Sequence, residues 1–289
     1  MSKGTRTRRG FALSDLLACV AAAAVLLSGL LAVGLARDRS RSGYCKSNIS
    51  AIGKALAIYT GATKDGAWPW LQTANRWDAP TGEDREKGPS AEINRNVSAL
   101  LFMLVRDGQT PGIFVCPATD DIRDPSTKKG NSFCWDFSPY KDGNAEHVSY
   151  SYQAPLCAPR PTDANRLDLS SGVTNDANGG LIVLADRTPA YDGLAATFNW
   201  NDPGKADPKT GMSQNHAGGT INLLYADLHV GQSAVQADCG IGRDNIYSAA
   251  GLGANGKPLA VQPGAGSERL TDHLSPDDSF LEGPKKMEK

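Results

Sequence analysis

The feature that most constrains this chain is an apolar stretch near its N-terminus. Residues 11–36 contain a single charged side chain, Asp15. At ~1.5 Å per residue a helix over this stretch is about 39 Å long, enough to cross the ~30 Å hydrocarbon core of a bilayer. The residues before it include four basic side chains and no acid, which predicts a cytoplasmic N-terminus. The sequence therefore predicts a single-pass protein of the cytoplasmic membrane, with the rest of the chain extracytoplasmic.

The junction between the basic and the apolar residues is Gly10-Phe11. A secretory signal peptide has its small-residue cleavage site after the apolar stretch, whereas the site here comes before it. The pattern of residues 8–15 resembles the leader of type IV pilins and type II secretion pseudopilins. The resemblance implies that a prepilin peptidase cleaves after Gly10 and methylates the new N-terminal Phe11.

Asp15 is an acid within a predicted spanning helix, a placement that costs roughly 2.5–3.5 kcal/mol on insertion scales. In the pilin family the fifth mature residue is normally Glu, which neutralises the N-terminal amine of a neighbouring subunit during assembly. Asp15 is fifth when counted from Phe11 and is one methylene shorter. The resemblance implies an assembly role for Asp15. The alternative is an acid tolerated near the headgroups.

The apolar helix is predicted to continue beyond the membrane and to end near Gly61. Apolar residues recur there at spacings of three and four, as on one face of an amphipathic helix: Cys45, Ile49, Ile52, Leu56 and Tyr59. The predicted organisation is a leader (1–10), a transmembrane and assembly helix (11–36), its amphipathic continuation (37–60), a globular head (61–250) and a flexible C-terminal tail (251–289).

The head is predicted to contain one more helix and several short strands. The helix is expected over Ala91–Arg106, and the strands over Gly112–Pro117, Val148–Gln153, Gly180–Ala185, Tyr191–Phe198, Thr220–Ala226 and Leu228–Val235, the last two as a hairpin. One long N-terminal pilin-like helix packed on a mostly antiparallel sheet is an α+β fold.

A second resemblance lies in residues 215–230, NHAGGTINLLYADLHV. This segment is similar to the C-terminal His-x9-Asp-Gly signature of a large pilin-like family that is abundant in planctomycetes. Residues 45–56 and 115–119 also fit that family. Two differences stand out: ten residues separate His216 from Asp227, and Leu228 replaces the usual glycine. Because leucine adopts positive φ less readily than glycine, the turn is expected to differ, with a bulge absorbing the extra residue.

The same segment contains a candidate metal set, His216, Asp227 and His229, which Asp186 at the end of a buried strand could join. The alternative is structural: Gly218-Gly219 form a turn and the polar side chains tie the hairpin. Loop acids offer a weaker calcium alternative: Asp120, Asp121, Asp124, Asp202 and Asp207.

Because the sequence has no nucleophile elbow, no His-Glu-x-x-His and no phosphate-binding loop, we do not expect an enzyme and expect no cofactor beyond a metal ion.

Five cysteines follow the apolar helix and are disulfide candidates if the head is extracytoplasmic: Cys45, Cys116, Cys134, Cys157 and Cys239. Five is an odd number, so at least one is free or pairs between chains. Cys45 falls on the predicted buried face, where it is either a packed thiol or a disulfide to the head. Cys19 lies within the apolar helix. The spacings leave the pairing open.

Charge and composition restrict the partners. The net charge is −1, and the chain without its basic leader is mildly acidic, with no basic stripe for nucleic acid. The resemblance implies a prepilin peptidase, the membrane and other copies or related pseudopilins as partners. One alternative is a non-polymerising, membrane-tethered binding domain for metal or carbohydrate, the latter stacking on Trp68, Trp70 and Trp77. A metal-dependent extracellular enzyme is the third hypothesis.

Overall fold

The structure is a computed structural model of the 289-residue chain. It describes residues 13–63, 66, 68–69, 82, 85–86, 97–139, 146–153, 177–187, 213–216, 219–234, 246, 249–252, 258–261 and 281–282. The chain divides into two compact units, Met1–Arg41 and Ser42–Lys289.

Helix α1, Leu13–Ala62, has 50 residues and ends where the sequence predicts. Nine large apolar side chains between residues 13 and 33 are exposed, among those that the structure describes. Among the residues that the structure describes, no helix meets the length and apolarity needed to cross a membrane.

The α1 residues within the second unit have one buried face, as predicted. Cys45, Ile49, Ile52 and Leu56 are fully buried, and Tyr59 packs at the edge of the same core. Gly53 lies on this face, where a Cβ atom would come within 2.9 Å of Leu224 Cδ1. The absence of a side chain at Gly53 therefore lets the helix approach the sheet closely, which offsets the weak helix propensity of glycine.

Helix α2, Val97–Arg106, is almost entirely buried and contacts the main sheet. It stops before Gly108, whose φ is 105°, as expected for a helix that ends on a glycine. The strand predicted at Gly112–Pro117 is wrong: Pro111–Phe114 form a 3-10 turn. The proline ring fixes the φ of Pro111 at a value suited to the first residue of a helix. Pro111 also lacks the backbone N–H that would donate a hydrogen bond to a neighbouring strand.

A short antiparallel ribbon, β1 (Lys128–Lys129) with β2 (Ser132–Phe133), precedes the main sheet. The main sheet contains β3 (Tyr150–Gln153), β4 (Ile182–Asp186), β5 (Ile221–Tyr225) and β6 (Val230–Ser233). All five residues of β4 are buried, as expected for a central strand. These elements confirm four of the predicted strands, and β5 and β6 form the predicted hairpin.

Strands also lie within the segment that the sequence assigned to a flexible tail. β7 (Ala249–Leu252) pairs with β8 (Pro258–Val261), and β9 (Leu281–Glu282) pairs with β3. The five-stranded sheet is antiparallel throughout, in the order β6-β5-β4-β3-β9. β8 and β9 are thus short paired segments within residues 251–289, and the flexible tail stays a prediction for the rest of that segment.

The core lies between the sheet and the helices, which confirms the α+β class. Phe137 links two helical elements of this core, since its ring makes edge contacts with Phe102 of α2 and with Phe114 in the 3-10 turn. The strand predicted at Tyr191–Phe198 lies outside the described residues.

Candidate functional site

His216 lies in a 3-10 turn directly before β5. Its Nε2 atom is 3.8 Å from Cys116 Sγ, 3.3 Å from Asp186 Oδ2 and 2.8 Å from Asn222 Nδ2. Cys116 is bonded to Cys45 of α1. We call Cys45, Cys116, Asp186, His216 and Asn222 the His216 cluster. Four of the five are fully buried, and the His216 side chain is 7% exposed.

The Cys45–Cys116 disulfide settles the alternative that the sequence left open at Cys45. Three residues further along the same helix face, the Asn48 side-chain amide donates to the Val115 carbonyl at 2.8 Å. Cys45 and Asn48 therefore fasten α1 to one short segment of the head. The two segments that resemble the second family, at residues 45–48 and 115–117, therefore lie in contact.

Asp186 organises the cluster from the C-terminal end of β4. Its carboxylate accepts hydrogen bonds from the Asn222 backbone N–H at 2.7 Å, the Asn222 side-chain amide at 3.1 Å and the Asn215 side-chain amide at 3.1 Å. Asn215 also donates to the Ser149 carbonyl at 2.7 Å. Hydrogen bonds to an ionised acceptor are stronger than neutral ones, so Asp186 holds the His216 turn against β4 and β5.

Asn222 links His216 to β6. Its side-chain Nδ2 lies 2.8 Å from His216 Nε2, and its Oδ1 accepts a hydrogen bond from Gln232 Nε2 at 3.1 Å. Asp186 Oδ2 lies 3.3 Å from the same imidazole nitrogen, so Nε2 faces a carboxylate as well as an amide.

Asp227 and His229 form a separate, half-exposed pair in the β5–β6 turn. Asp227 Oδ1 accepts from the His229 backbone N–H at 3.1 Å and lies 2.5 Å from His229 Nδ1. The backbone N–H of His229, assisted by its ring, holds the pKa of the Asp227 carboxyl below its usual value. The His229 ring also stacks on Tyr225, with centroids 3.9 Å apart. These contacts tie the turn, as the structural interpretation predicts.

The structure separates the three residues suggested as a metal set. His216 precedes β5, whereas Asp227 and His229 follow it, and a five-residue strand spans about 16 Å. Among the described residues, the only three His, Cys, Asp or Glu ligand atoms that converge within 4.8 Å belong to Cys45, Cys116 and His216. Asp186 joins His216, as the sequence suggested, but not the other two residues.

The β5–β6 turn differs from an Asp-Gly turn, as predicted. The Tyr225 N–H donates to the His229 carbonyl at 3.1 Å, so residues 226–228 form a three-residue loop. Leu228 has a φ of 71°, and no other non-glycine residue among those described has a positive φ. Loops of this length place their third residue in the left-handed region, where glycine is favoured.

Leu228→Gly is expected to be more stable than Leu228→Ala by about 1 kcal/mol, because a Cβ atom costs ~1–2 kcal/mol in this conformation. Both variants lack the Leu228 side chain, so its packing against the core does not contribute to the difference in stability between them. Urea unfolding of both variants measures it. Ala226 lies in the same loop but has a negative φ, so Ala226→Gly should instead lower the free energy of unfolding by about 0.5–1 kcal/mol. Equal stabilities of the two Leu228 variants would contradict backbone strain at this position.

The remaining ligand candidates do not form sites among the described residues. Asp124 accepts from the backbone N–H groups of Ser126 and Ser138, and Asp121 accepts from Ser149 Oγ and Arg187. Asp120 is exposed, and Asp202 and Asp207 lie outside the described residues. Trp68 is buried in the core, where it cannot stack on a sugar, and Trp70 and Trp77 lie outside the described residues.

Several predicted residues have no described side chain. Gly10, Phe11, Cys157 and Cys239 lie outside the described residues, as does the side chain of Asp15. Cys134 is a buried free thiol, and Cys19 is exposed on α1. The disulfide thus uses two of the five candidates.

Sequence reasoning missed a buried ion cluster. Arg187 Nη1 contacts Asp121 Oδ2 at 2.9 Å and also contacts the Glu146 carboxylate. It also missed Ser149, whose Oγ accepts from the Cys116 backbone N–H at 2.8 Å and donates to Asp121 at 2.5 Å. The only local signal was the position of Arg187, two residues after the apolar run 181–185, where an arginine is rarely buried unless paired.

Comparison with protein-family models, with curated proteins and with solved structures finds no match for this chain. Interpretation of its function therefore depends on the residues described above and on the two motif resemblances.

Proposed function

We propose that this chain is a pilin-like or pseudopilin subunit. A prepilin peptidase removes residues 1–10, and the apolar helix that follows anchors the protein in the cytoplasmic membrane with its N-terminus cytoplasmic. The same helix then packs against other copies or related subunits in a type II secretion or type IV pilus-like assembly. The basic leader, the Gly10-Phe11 junction and Asp15 support this proposal.

The observation that carries the proposal is the apolar surface of α1. Its large side chains between residues 13 and 33 are 55–74% exposed: Leu13, Leu16, Leu17, Val20, Val25, Leu26, Leu27, Leu30 and Val33. A contiguous apolar surface of this length is unfavourable in water, so it needs lipid or other helices around it. Small residues between the large ones, such as Gly29 and Gly34, permit close helix approach.

The disulfide supports an extracytoplasmic head. Cys45 and Cys116 are joined in the second unit, and structural disulfides persist in oxidising compartments and are rare in the cytosol. An N-terminus in the cytoplasm and a head outside it agree with this bond and with the basic leader.

Processing is tested by substitution at the leader glycine. In the native strain, the mature chain is expected to start at a methylated Phe11, and Gly10→Val is expected to abolish cleavage. Gly4→Val, in the same leader, serves as the matched control and should be processed normally. Intact mass and N-terminal sequencing measure both variants. Normal processing of Gly10→Val, or of wild type in a strain without the peptidase, would refute the pilin route.

Assembly is tested through the native cysteine of the apolar helix. Cys19 is exposed on α1, so oxidative cross-linking in membranes should join neighbouring helices, and Cys19→Ser should abolish that product. Asp15→Ala is expected to reduce cross-linking at least about tenfold. The reason is that Asp15 would neutralise the N-terminal amine of a neighbouring copy, and a tenfold change corresponds to an interaction free energy of about 1.4 kcal/mol for this ion pair. Ser14→Ala is the control. A processed protein without a Cys19-dependent product would favour the tethered binding domain instead.

A further inference from the structure

The His216 cluster brings together three atoms that can bind a soft metal ion. Cys45 Sγ, Cys116 Sγ and His216 Nε2 all lie within 4.8 Å of one another. In the structure the two sulfurs are bonded to each other, so neither is a ligand in this state. The imidazole nitrogen that faces them is Nε2, which lies 3.8 Å from Cys116 Sγ, and imidazole nitrogens are common ligands of metal ions.

One of the three ligand pairs already has the separation of a tetrahedral zinc centre. Zn–S bonds of about 2.3 Å and Zn–N bonds of about 2.0–2.1 Å place a sulfur and a nitrogen about 3.6 Å apart and two sulfurs about 3.8 Å apart. Cys116 Sγ and His216 Nε2 are 3.8 Å apart, and Cys45 Sγ lies within 4.8 Å of the same nitrogen. The two bonded sulfurs would have to separate.

We infer that reduction of the Cys45–Cys116 disulfide converts the His216 cluster into a Zn²⁺ site. Cys45, Cys116 and His216 are the protein ligands, and a small exogenous ligand such as water takes the fourth position. Two thiolates neutralise the charge of the ion, so its burial adds no net charge. Zinc takes the place of Asn222 Nδ2 at His216 Nε2, and the Asn222 amide keeps its hydrogen bond to Asp186.

The chemistry requires an external dithiol as the reductant. The dithiol gives two electrons and two protons to the disulfide and becomes a disulfide itself, while Cys45 and Cys116 become thiols. Zn²⁺ then displaces both thiol protons, with no change in its own oxidation state. The metal would replace the covalent bond between α1 and the Cys116 segment and would add the His216 turn to the same linkage.

Zinc uptake by the full chain in detergent tests the inference. Serine at Cys19, Cys134, Cys157 and Cys239 removes the other thiols. After reduction and removal of the reductant, this protein is expected to bind about one Zn²⁺ per chain, the stoichiometry of a single tetrahedral site. The oxidised protein should bind none. Zinc content is measured by elemental analysis after dialysis, and Co²⁺ in place of zinc should give the absorption of a four-coordinate thiolate complex.

Two histidine variants provide the matched comparison. His216→Ala should lower the zinc affinity of the reduced protein by about 100-fold or more, since it removes one of three protein ligands. His229→Ala, which removes an exposed histidine from the same hairpin, should leave the affinity unchanged. Circular dichroism shows whether His216→Ala folds. If it does not, the zinc affinity of His216→Gln and the Co²⁺ spectrum of the reduced protein with His216 intact test whether His216 is a ligand. Equal zinc uptake by oxidised and reduced protein, a six-coordinate Co²⁺ spectrum, or unchanged affinity in a folded His216 variant would overturn the inference.

Discussion

Replacing Arg187 with methionine is expected to lower the free energy of unfolding by about 3–5 kcal/mol. The Arg187 guanidinium contacts the carboxylates of Asp121 and Glu146, and all three side chains are less than a tenth exposed. Without the guanidinium, two buried acids of like charge lose the cation that both of them contact. Urea unfolding followed by far-ultraviolet circular dichroism measures the loss.

Two comparisons isolate the charge effect. Arg123→Met changes an exposed arginine of the same region and should stay within about 0.5 kcal/mol of wild type. Adding Asp121→Asn and Glu146→Gln to Arg187→Met removes the uncompensated charges and should recover much of the stability. A loss below 1 kcal/mol for Arg187→Met alone would show that the buried cluster contributes little.

Removal of the disulfide by Cys45→Ala with Cys116→Ala should cost about 4 kcal/mol, because the bond closes a long loop of the unfolded chain. The two cysteines are 71 residues apart, and both are fully buried. Urea unfolding measures this loss as well. In the absence of zinc, wild-type protein treated with dithiothreitol should be about as stable as the double variant.

Cys134→Ala is the matched control for this experiment. Cys134 is also buried but is a free thiol, so its replacement should cost only about 1 kcal/mol of packing. If the double variant loses no more than the Cys134 variant, the disulfide does not stabilise the head in the way that loop closure predicts.

The elements that the sequence predicted well are those with a local pattern. Helix α1 ends as expected because residues 45–59 repeat apolar side chains at helical spacing, and the β5–β6 hairpin follows from two short β-rich segments around a turn. Leu228, where a glycine was expected, correctly indicated an unusual turn. The failure at Pro111–Phe114 has a local reason as well, since the apolar residues after Pro111 hid the preference of proline for a first helical position.

The candidate site was only partly predictable because its contacts join distant parts of the chain. Cys45 was recognised as buried, but the choice of Cys116 as its partner depends on how α1 packs on the head. His216, Asp227 and His229 looked like one ligand set because they are close in sequence, but an extended strand places them apart. The pairing of Arg187 with Asp121 and Glu146 has no local pattern at all.

The pairing of β9 with β3 has a consequence for how the sheet is completed during synthesis. The ribosome releases β3 early, whereas the residues that cover its outer edge, Leu281 and Glu282, emerge far later. Until then, the edge of β3 presents unpaired backbone groups to any extended peptide nearby. A chaperone that adds a strand, or the same edge of another nascent copy, would compete with β9 during that interval.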